Sequence, residues 1–188
     1  ATQQGTVKKT ALSDFANVRK GGIIAITIDQ GDTLIDVKQT RGSIEGGDEG
    51  DDVVLITKDG MSIRFSESDV RSMGRNAAGV KGITLEKGDA VVALAVVVPD
   101  AALLVAGENG IGKRTSFDEY LVQGESGTRK QSRGGKGRIT MKVGDKTGGV
   151  IGALPVRDTD EIMLITVGGQ MVRTFVKDIR EAGRNTMG

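Results

Sequence analysis

The apolar positions of this chain fall into short runs rich in β-branched residues, at 23–28, 34–37, 53–57, 83–85, 91–98, 102–106, 139–143, 150–156 and 162–167. Gly31-Asp32, Gly88-Asp89 and Gly144-Asp145 punctuate them. Short β-rich runs bounded by turn residues predict strands, and no stretch keeps the 3.6-residue period of a helix for more than a turn. Segments 10–18 and 66–73 are each predicted to hold one helical turn. The longest apolar run, 90–98, has nine residues, against about 20 for a membrane-spanning helix. No basic-then-apolar leader opens the chain, and no membrane partner is expected.

The runs recur. Gly5-Thr6-Val7-Lys8-Lys9-Thr10, Gly60-Met61-Ser62-Ile63-Arg64-Phe65, Gly110-Ile111-Gly112-Lys113-Arg114-Thr115 and Gly169-Gln170-Met171-Val172-Arg173-Thr174 start at glycines 55, 50 and 59 residues apart. Four positions after each glycine stands a base (Lys9, Arg64, Arg114, Arg173). Nine after it stands an acid (Asp14, Asp69, Glu119, Asp178), and ten after it an apolar residue (Phe15, Val70, Tyr120, Ile179). A glycine-rich basic element follows in every unit, at 19–22, 74–79, 133–137 and 183–188. Each unit thus holds four short strands divided by turns, the make-up of a propeller-type blade. The expected fold is all-β, a propeller-like array of four-stranded blades, with about three complete units plus a partial one. Residues 1–188 read as a single repeat domain with units beginning near Gly5, Gly60, Gly110 and Gly169. Its first residues match the tail of a strand and its last stop short of further strands, so it reads as a fragment of a longer array.

Composition narrows the chemistry. The 188 residues include 29 Gly and 2 Pro, with no Cys and no His. A disulfide scaffold, a thiol nucleophile, a Cys/His metal site and any Ser-His hydrolase are excluded. The sole tyrosine, Tyr120, occupies the apolar repeat position and reads as core, not catalyst. Residues 107–113 fit Gly-x4-Gly-Lys, but Arg114 stands where a P-loop needs Ser or Thr for Mg²⁺. Lys113 and Arg114 are instead the repeat counterparts of Lys8 and Lys9. Four Phe are too few for a base-stacking platform.

The net charge of +1 hides a segregation. Between 126 and 144 lie six bases (Arg129, Lys130, Arg133, Lys136, Arg138, Lys142) and no acid. Between 29 and 52 lie eight acids against Lys38 and Arg41. The acidic loop 45–52 lacks the spacing of an EF-hand and reads as a solvated charge run. Two readings stand for the four fixed-offset bases: a basic stripe around a ring of blades, suited to a polyanion such as duplex DNA, or local pairing such as Arg64 with Asp69. The 126–144 stretch has no local acid and favours the first.

Within that stretch Gln131-Ser132-Arg133-Gly134-Gly135-Lys136-Gly137 is the sharpest local signal. Its glycines permit positive φ and close backbone approach to an anion, with Arg133 and Lys136 on either side. The heptad resembles the gyrase A box, Gln-Arg-Arg-Gly-Gly-Lys-Gly, at six of seven positions, Ser132 being the departure. The phrases Gly5 to Thr10, Val70 to Arg75, Gly79 to Ile83, Gly112 to Thr115 and Ala182 to Thr186 resemble those of the C-terminal domain family of the DNA gyrase A protein.

That resemblance implies a β-pinwheel of hairpin-exchanged blades with duplex DNA wrapped on its basic rim. It further implies service to ATP-driven negative supercoiling, with no catalytic site in this part. ATP and Mg²⁺ belong elsewhere in such an enzyme, and no cofactor is expected here. The implied partners are double-stranded DNA, the N-terminal part of the gyrase A protein and the gyrase B protein, in the bacterial cytoplasm and on the chromosome. The candidate DNA-binding residues are Lys8, Lys9, Arg19, Lys20, Arg75, Lys81, Lys113, Arg114, Arg129, Lys130, Gln131, Arg133, Gly134, Gly135, Lys136, Gly137, Arg138 and Arg184. The alternatives are the corresponding domain of topoisomerase IV, against which the heptad argues, and a protein-binding propeller scaffold using the acidic loop.

Overall fold

The structure, a computed structural model, describes residues 1–43, 47–125 and 127–188; Glu45 of the acidic loop and Ser126 lie outside the described residues. Its strands are β1 (Thr6–Val7), β2 (Asp52–Thr57), β3 (Met61–Ser66), β4 (Val80–Lys81), β5 (Val91–Val96), β6 (Ala102–Gly107) and β7 (Gly112–Ser116). There follow β8 (Val122–Gly124), β9 (Gly127–Arg129), β10 (Arg138–Ile139), β11 (Val150–Val156), β12 (Glu161–Ile165) and β13 (Met171–Phe175). The only helical pieces among the described residues are 3-10 turns at Leu12–Phe15, Glu67–Asp69, Phe117–Tyr120 and Val176–Asp178. Each begins seven residues after a repeat glycine. Those four glycines all hold φ between 78° and 87°, the left-handed conformation that a tight hairpin turn demands.

The strand order reveals an exchange. The second blade is the antiparallel sheet β10-β3-β2-β5. Its β2–β3 hairpin and β5 come from one unit, but β10 comes from the next. In the first blade β1 likewise receives β4 from the following unit, Thr6 pairing with Lys81. The third blade is β11-β6-β7, with residues from 181 onward along β7 through the Arg114–Glu181 bridge. The fourth hairpin, β12–β13, forms a sheet of two strands. The second, third and fourth glycine-rich elements therefore lead arms onto β1, β3 and β7 of the preceding hairpins. The insertion after Tyr120 folds into its own small hairpin, β8–β9.

Three expectations shift. Residues 23–28 are not a sheet strand; they run beside the second glycine-rich element, with the Thr27 N–H donating to Ala77 O (3.3 Å). The second arm pairs through Val80–Lys81, not 83–85, since Gly82 and Ile83 both direct their N–H at the Gly5 carbonyl (2.8 and 3.4 Å). Residues 34–37 form none of these strands; they hold the first residues through the Thr2–Leu34 bridge and the Ile35 N–H to Ala1 O bond (3.0 Å).

The core lies between blades. Val53 and Leu55 of β2 pack with Val7, Ile83, Ile63 and Phe65 against the first blade. Val54 and Ile56 of the same strand pack with Leu103, Val105, Phe117, Tyr120 and Met141 against the third. Leu104 on the far face of β6 meets Val156 and Val176. A period of two sends alternate side chains to opposite faces, so β2 and β6, the central strands of the second and third blades, are buried on both sides and the blades stack.

Candidate nucleic-acid interface

Three of the four fixed-offset bases, Lys9, Arg64 and Arg114, point into the seams between blades, whereas Arg173 is exposed beside Glu161 of its own hairpin. Lys9 Nζ donates to the Glu67 carbonyl (2.9 Å) and Arg64 Nη1 to that of Phe117 (2.7 Å). Both acceptors open the 3-10 turn of the next unit. Arg114 Nε reaches the Ile179 carbonyl at 2.9 Å. Each base also has a carboxylate: Lys9 with Glu67, Arg64 with Asp52, Arg114 with Asp158, Arg173 with Glu161. The expected Arg64–Asp69 pairing gives way to Asp52, which opens β2 directly beside β3. Lys9 and Arg114 are thus seam pins, a correction to their place among the rim candidates.

Lys113 is corrected in the same way. It is fully buried, and its ammonium donates to the carbonyls of Gly183 and Arg184 (both 2.6 Å), to that of Thr186 (3.2 Å) and to Thr186 Oγ1 (2.9 Å). Burial pushes its pKa down to about 8. The β6–β7 turn places this lysine on a strand, which removes the P-loop reading. Its counterpart Lys8 donates to the Arg75 and Ala25 carbonyls. A lysine three residues after the repeat glycine therefore fastens the arm that crosses its hairpin.

The glycine-rich elements lie side by side, joined by one contact made three times. Arg75 Nη1 donates to the Ile24 carbonyl (3.1 Å), Arg133 Nη1 to that of Lys81 (3.1 Å) and Arg184 Nη1 to that of Ile139 (2.6 Å). Each arginine stands four residues before its arm glycine, and each acceptor two residues after the glycine of the preceding arm. Backbone bonds repeat the link: Thr27 N–H to Ala77 O (3.3 Å), Thr84 N–H to Gly135 O (2.8 Å) and Lys142 N–H to Thr186 O (2.9 Å). The four arms form a continuous belt.

The heptad is the clasp of this belt. Gly134 donates its N–H to Gly82 O (2.6 Å), and Gly134 O accepts from Thr84 Oγ1 (2.7 Å). Gln131 donates its N–H to Arg64 O (3.1 Å), and Arg133 Nε reaches Asp69 O at 2.8 Å. Gly137 holds φ 77°, and a Cβ there would lie 2.3 Å from Ser62 O. The glycines serve chain crossing; the N–H of Gly134 is taken by a neighbouring arm, not held open for an anion. Arg138 Nη1 is engaged by Leu121 O at 2.7 Å.

Other bases of the belt face outward. Arg19, Lys20, Lys81, Arg129 and Lys136 are exposed. Among the described residues the first four have no carboxylate in ion-pair range, and Lys136 has only Glu86, at 2.7 Å. The hydrogen bond from Lys136 holds the Glu86 carboxyl below its ordinary range, and the same bond raises the lysine. Lys130 pairs with Glu49 (2.6 Å) and Asp52 (2.9 Å), and its bond to Glu49 raises its pKa. Acids distant in sequence thus reach the stretch that lacked local ones. Sequence reasoning missed Glu67, which is buried and accepts from Thr40 Oγ1 (2.8 Å) and from the N–H groups of Gly42 (3.0 Å) and Asp51 (2.7 Å). A carboxylate at the repeat position that holds Leu12, Phe117 and Val176 elsewhere was its signal.

Stacked antiparallel blades, the second completing its four strands with one from the next unit, define a β-pinwheel, here with a basic belt of arms. The chain belongs to the family described as DNA gyrase C-terminal domain, beta-propeller, whose pattern matches residues 1–41, 51–97, 101–129, 128–157 and 160–188. The DNA gyrase A protein of Salmonella typhimurium is 45% identical over 188 residues, all of this chain and 20% of that protein. Its namesake in Haloquadratum walsbyi is 46% identical over 189 residues, again all of this chain and 20% of that protein. The chain thus spans about one fifth of these relatives. Among solved structures, the C-terminal domain of DNA topoisomerase IV superposes with a TM-score of 0.86 at 28% identity, covering all of this chain and 55% of that one. A DNA gyrase A C-terminal domain superposes at 0.81 and 27% identity, covering all of this chain and 58% of that one.

Proposed function

We propose that this domain binds duplex DNA without sequence preference and bends it along the belt of arms, serving negative supercoiling by a gyrase-type topoisomerase. The observation that carries the reading is the belt itself. Its arms run continuously from blade to blade and present Arg19, Lys20, Lys81 and Lys136 outward, with Arg129 exposed at the end of β9 and Lys130 between two carboxylates. Lysine and arginine along a curved track contact phosphates and read no bases. Smooth bending of 20–30 base pairs by 40–90° costs about 1–6 kcal/mol, which many phosphate contacts offset. Catalysis, ATP and Mg²⁺ belong to other parts of the enzyme; the protein partners are the N-terminal region of gyrase A and the whole of gyrase B. The compartment is the bacterial cytoplasm, with the chromosome as template. The match to the gyrase C-terminal domain family across the chain and 45% identity to a gyrase A protein support gyrase; the two solved domains, at 28% and 27% identity, do not separate the readings.

Fluorescence anisotropy of a labelled duplex tests the reading. Five outward bases predict a log K against log salt slope of about −4.5, a fall in affinity of about 500-fold between 50 and 200 mM salt. Equal affinity for unrelated duplexes is expected. Affinity unchanged by salt, or no binding at 50 mM, overturns it.

A further inference from the structure

The acidic connector between the first and second hairpins is fastened against the belt. Glu67 accepts from Thr40 Oγ1 and from the N–H groups of Gly42 and Asp51. Arg41 reaches Asp51 (2.6 Å) and the Gly50 carbonyl (2.9 Å), and Ser66 Oγ donates to the Glu49 carbonyl (3.2 Å). The backbone of Glu49 is thereby fixed, while its side chain is 66% exposed. Its carboxylate has one partner among the described residues, Lys130 Nζ at 2.6 Å.

Lys130 also meets Asp52, at 2.9 Å. Asp52 is already balanced, since Arg64 donates to its Oδ2 from Nε (2.9 Å) and Nη2 (2.7 Å). Glu49 is therefore the charge that neutralises Lys130. The four groups sum to zero with Glu49 in place and to one positive charge once its side chain swings away. Lys130 stands between the exposed Arg129 and Gln131, whose N–H is held by Arg64 O (3.1 Å). A lysine 34% exposed at the opening of the heptad thus carries a carboxylate where a phosphate oxygen would make the same charge-assisted bond. Lys136 differs: both it and Glu86 are exposed, and such a pair hinders little.

We propose that Glu49 is an autoinhibitory stand-in for a DNA phosphate, occupying Lys130 in the free domain and leaving before that lysine joins the grip on the duplex. The inference rests on the DNA-binding reading above and names a control of that same surface. Release needs only rotation of the Glu49 side chain. Phosphates held by Arg129 and Lys136 on either side compete for Lys130. The freed carboxylate takes up a cation as the phosphate loses one, so Lys130 adds little to the salt slope while Glu49 is present.

Glu49→Gln keeps the side chain's size and removes its charge. Anisotropy titrations of a labelled duplex should show the log K against log salt slope steepen from about −4.5 to about −5.4, one further phosphate contact. Affinity at 50 mM salt should rise several-fold, an advantage that shrinks about 3.5-fold by 200 mM. Asp48→Asn removes an equal charge one residue away, from an acid that pairs with Arg41 (3.7 Å), and should leave the slope unchanged. In a Lys130→Ala chain, Glu49→Gln should bring no gain. Without DNA, acylation of Lys130 by an amine-reactive ester, read by mass spectrometry, should run several-fold faster in Glu49→Gln. Binding with equal slopes in the unmodified and Glu49→Gln chains overturns the autoinhibition and leaves the belt standing. So does an equal gain from Asp48→Asn, a gain that survives Lys130→Ala, or an unchanged acylation rate. No binding by the unmodified chain at 50 mM overturns the belt reading and the autoinhibition with it.

Discussion

Two neighbours in the heptad are assigned different work, and paired substitutions separate them. Arg133 donates to two carbonyls, of Asp69 at 2.8 Å and Lys81 at 3.1 Å, and so ties one arm to the next. Lys136 is about 73% exposed and meets only Glu86. Hydrogen bonds from a charged donor are worth about 1.5–3 kcal/mol each when shielded, and less for an exposed donor, so Arg133→Ala should cost about 2 kcal/mol in total. For a chain of this length that lowers Tm by roughly 4–8 °C. An exposed ion pair is worth about 0–1 kcal/mol, so Lys136→Ala should move Tm by no more than about 3 °C. DNA binding should sort them oppositely. Losing one phosphate contact flattens the log K against log salt slope by about 0.9, expected for Lys136→Ala and absent for Arg133→Ala. The assays are differential scanning fluorimetry and anisotropy titrations at three salt concentrations. An Arg133→Ala chain with unchanged Tm and a flatter slope refutes the staple and makes that residue a phosphate ligand.

Tyr120 donates to or accepts from Thr140 Oγ1 at 2.6 Å inside the second seam, and burial raises its pKa to about 12. Tyr120→Ala should cost about 3–5 kcal/mol by urea unfolding, and Tyr120→Phe about 1–2, by leaving the threonine hydroxyl unpaired; equal losses in both would place the cost in the hydroxyl alone. Glu67→Leu should loosen the acidic segment that Glu67 holds, seen as faster tryptic cleavage at Arg41 with cleavage elsewhere unchanged. Lys113 titrates near 8 when folded, so between about 8 and 10.5 the unfolded chain binds more protons and the native state gains stability as pH rises. Relative to Lys113→Gln, the unfolding free energy should climb by at most about 1.4 kcal/mol per pH unit in that window; a falling difference would contradict the buried ammonium.

The β-branched runs and the fixed-offset glycines made the blades legible, because turn chemistry and strand propensity are local properties. Two of the four 3-10 turns, Leu12–Phe15 and Glu67–Asp69, fall in segments 10–18 and 66–73, where one helical turn was expected, while Phe117–Tyr120 and Val176–Asp178 went unanticipated. Arm exchange was not legible from these local signals: Lys81 pairing with Thr6 is set by which hairpin edge is open, not by either strand's own residues. The same limit governed the charges. Arg64 has Asp69 near it in sequence, but the β2–β3 register places Asp52 beside it. Lys130 had no acid nearby in the chain, and the fold brings Glu49 and Asp52 to it. The heptad was conspicuous as sequence, yet its glycines answer to Gly82, Thr84 and Ser62 of neighbouring strands, contacts that only the folded array creates.

DNA topology tests the central claim most directly. Nicked plasmid circles are ligated in the presence of increasing amounts of this chain, and the linking-number distribution is read on a gel after the protein is removed. A belt that bends duplex along one curved path predicts a shift in one direction that grows with protein and vanishes at high salt. A distribution that stays centred on the protein-free position while the DNA is bound would contradict wrapping along the arms.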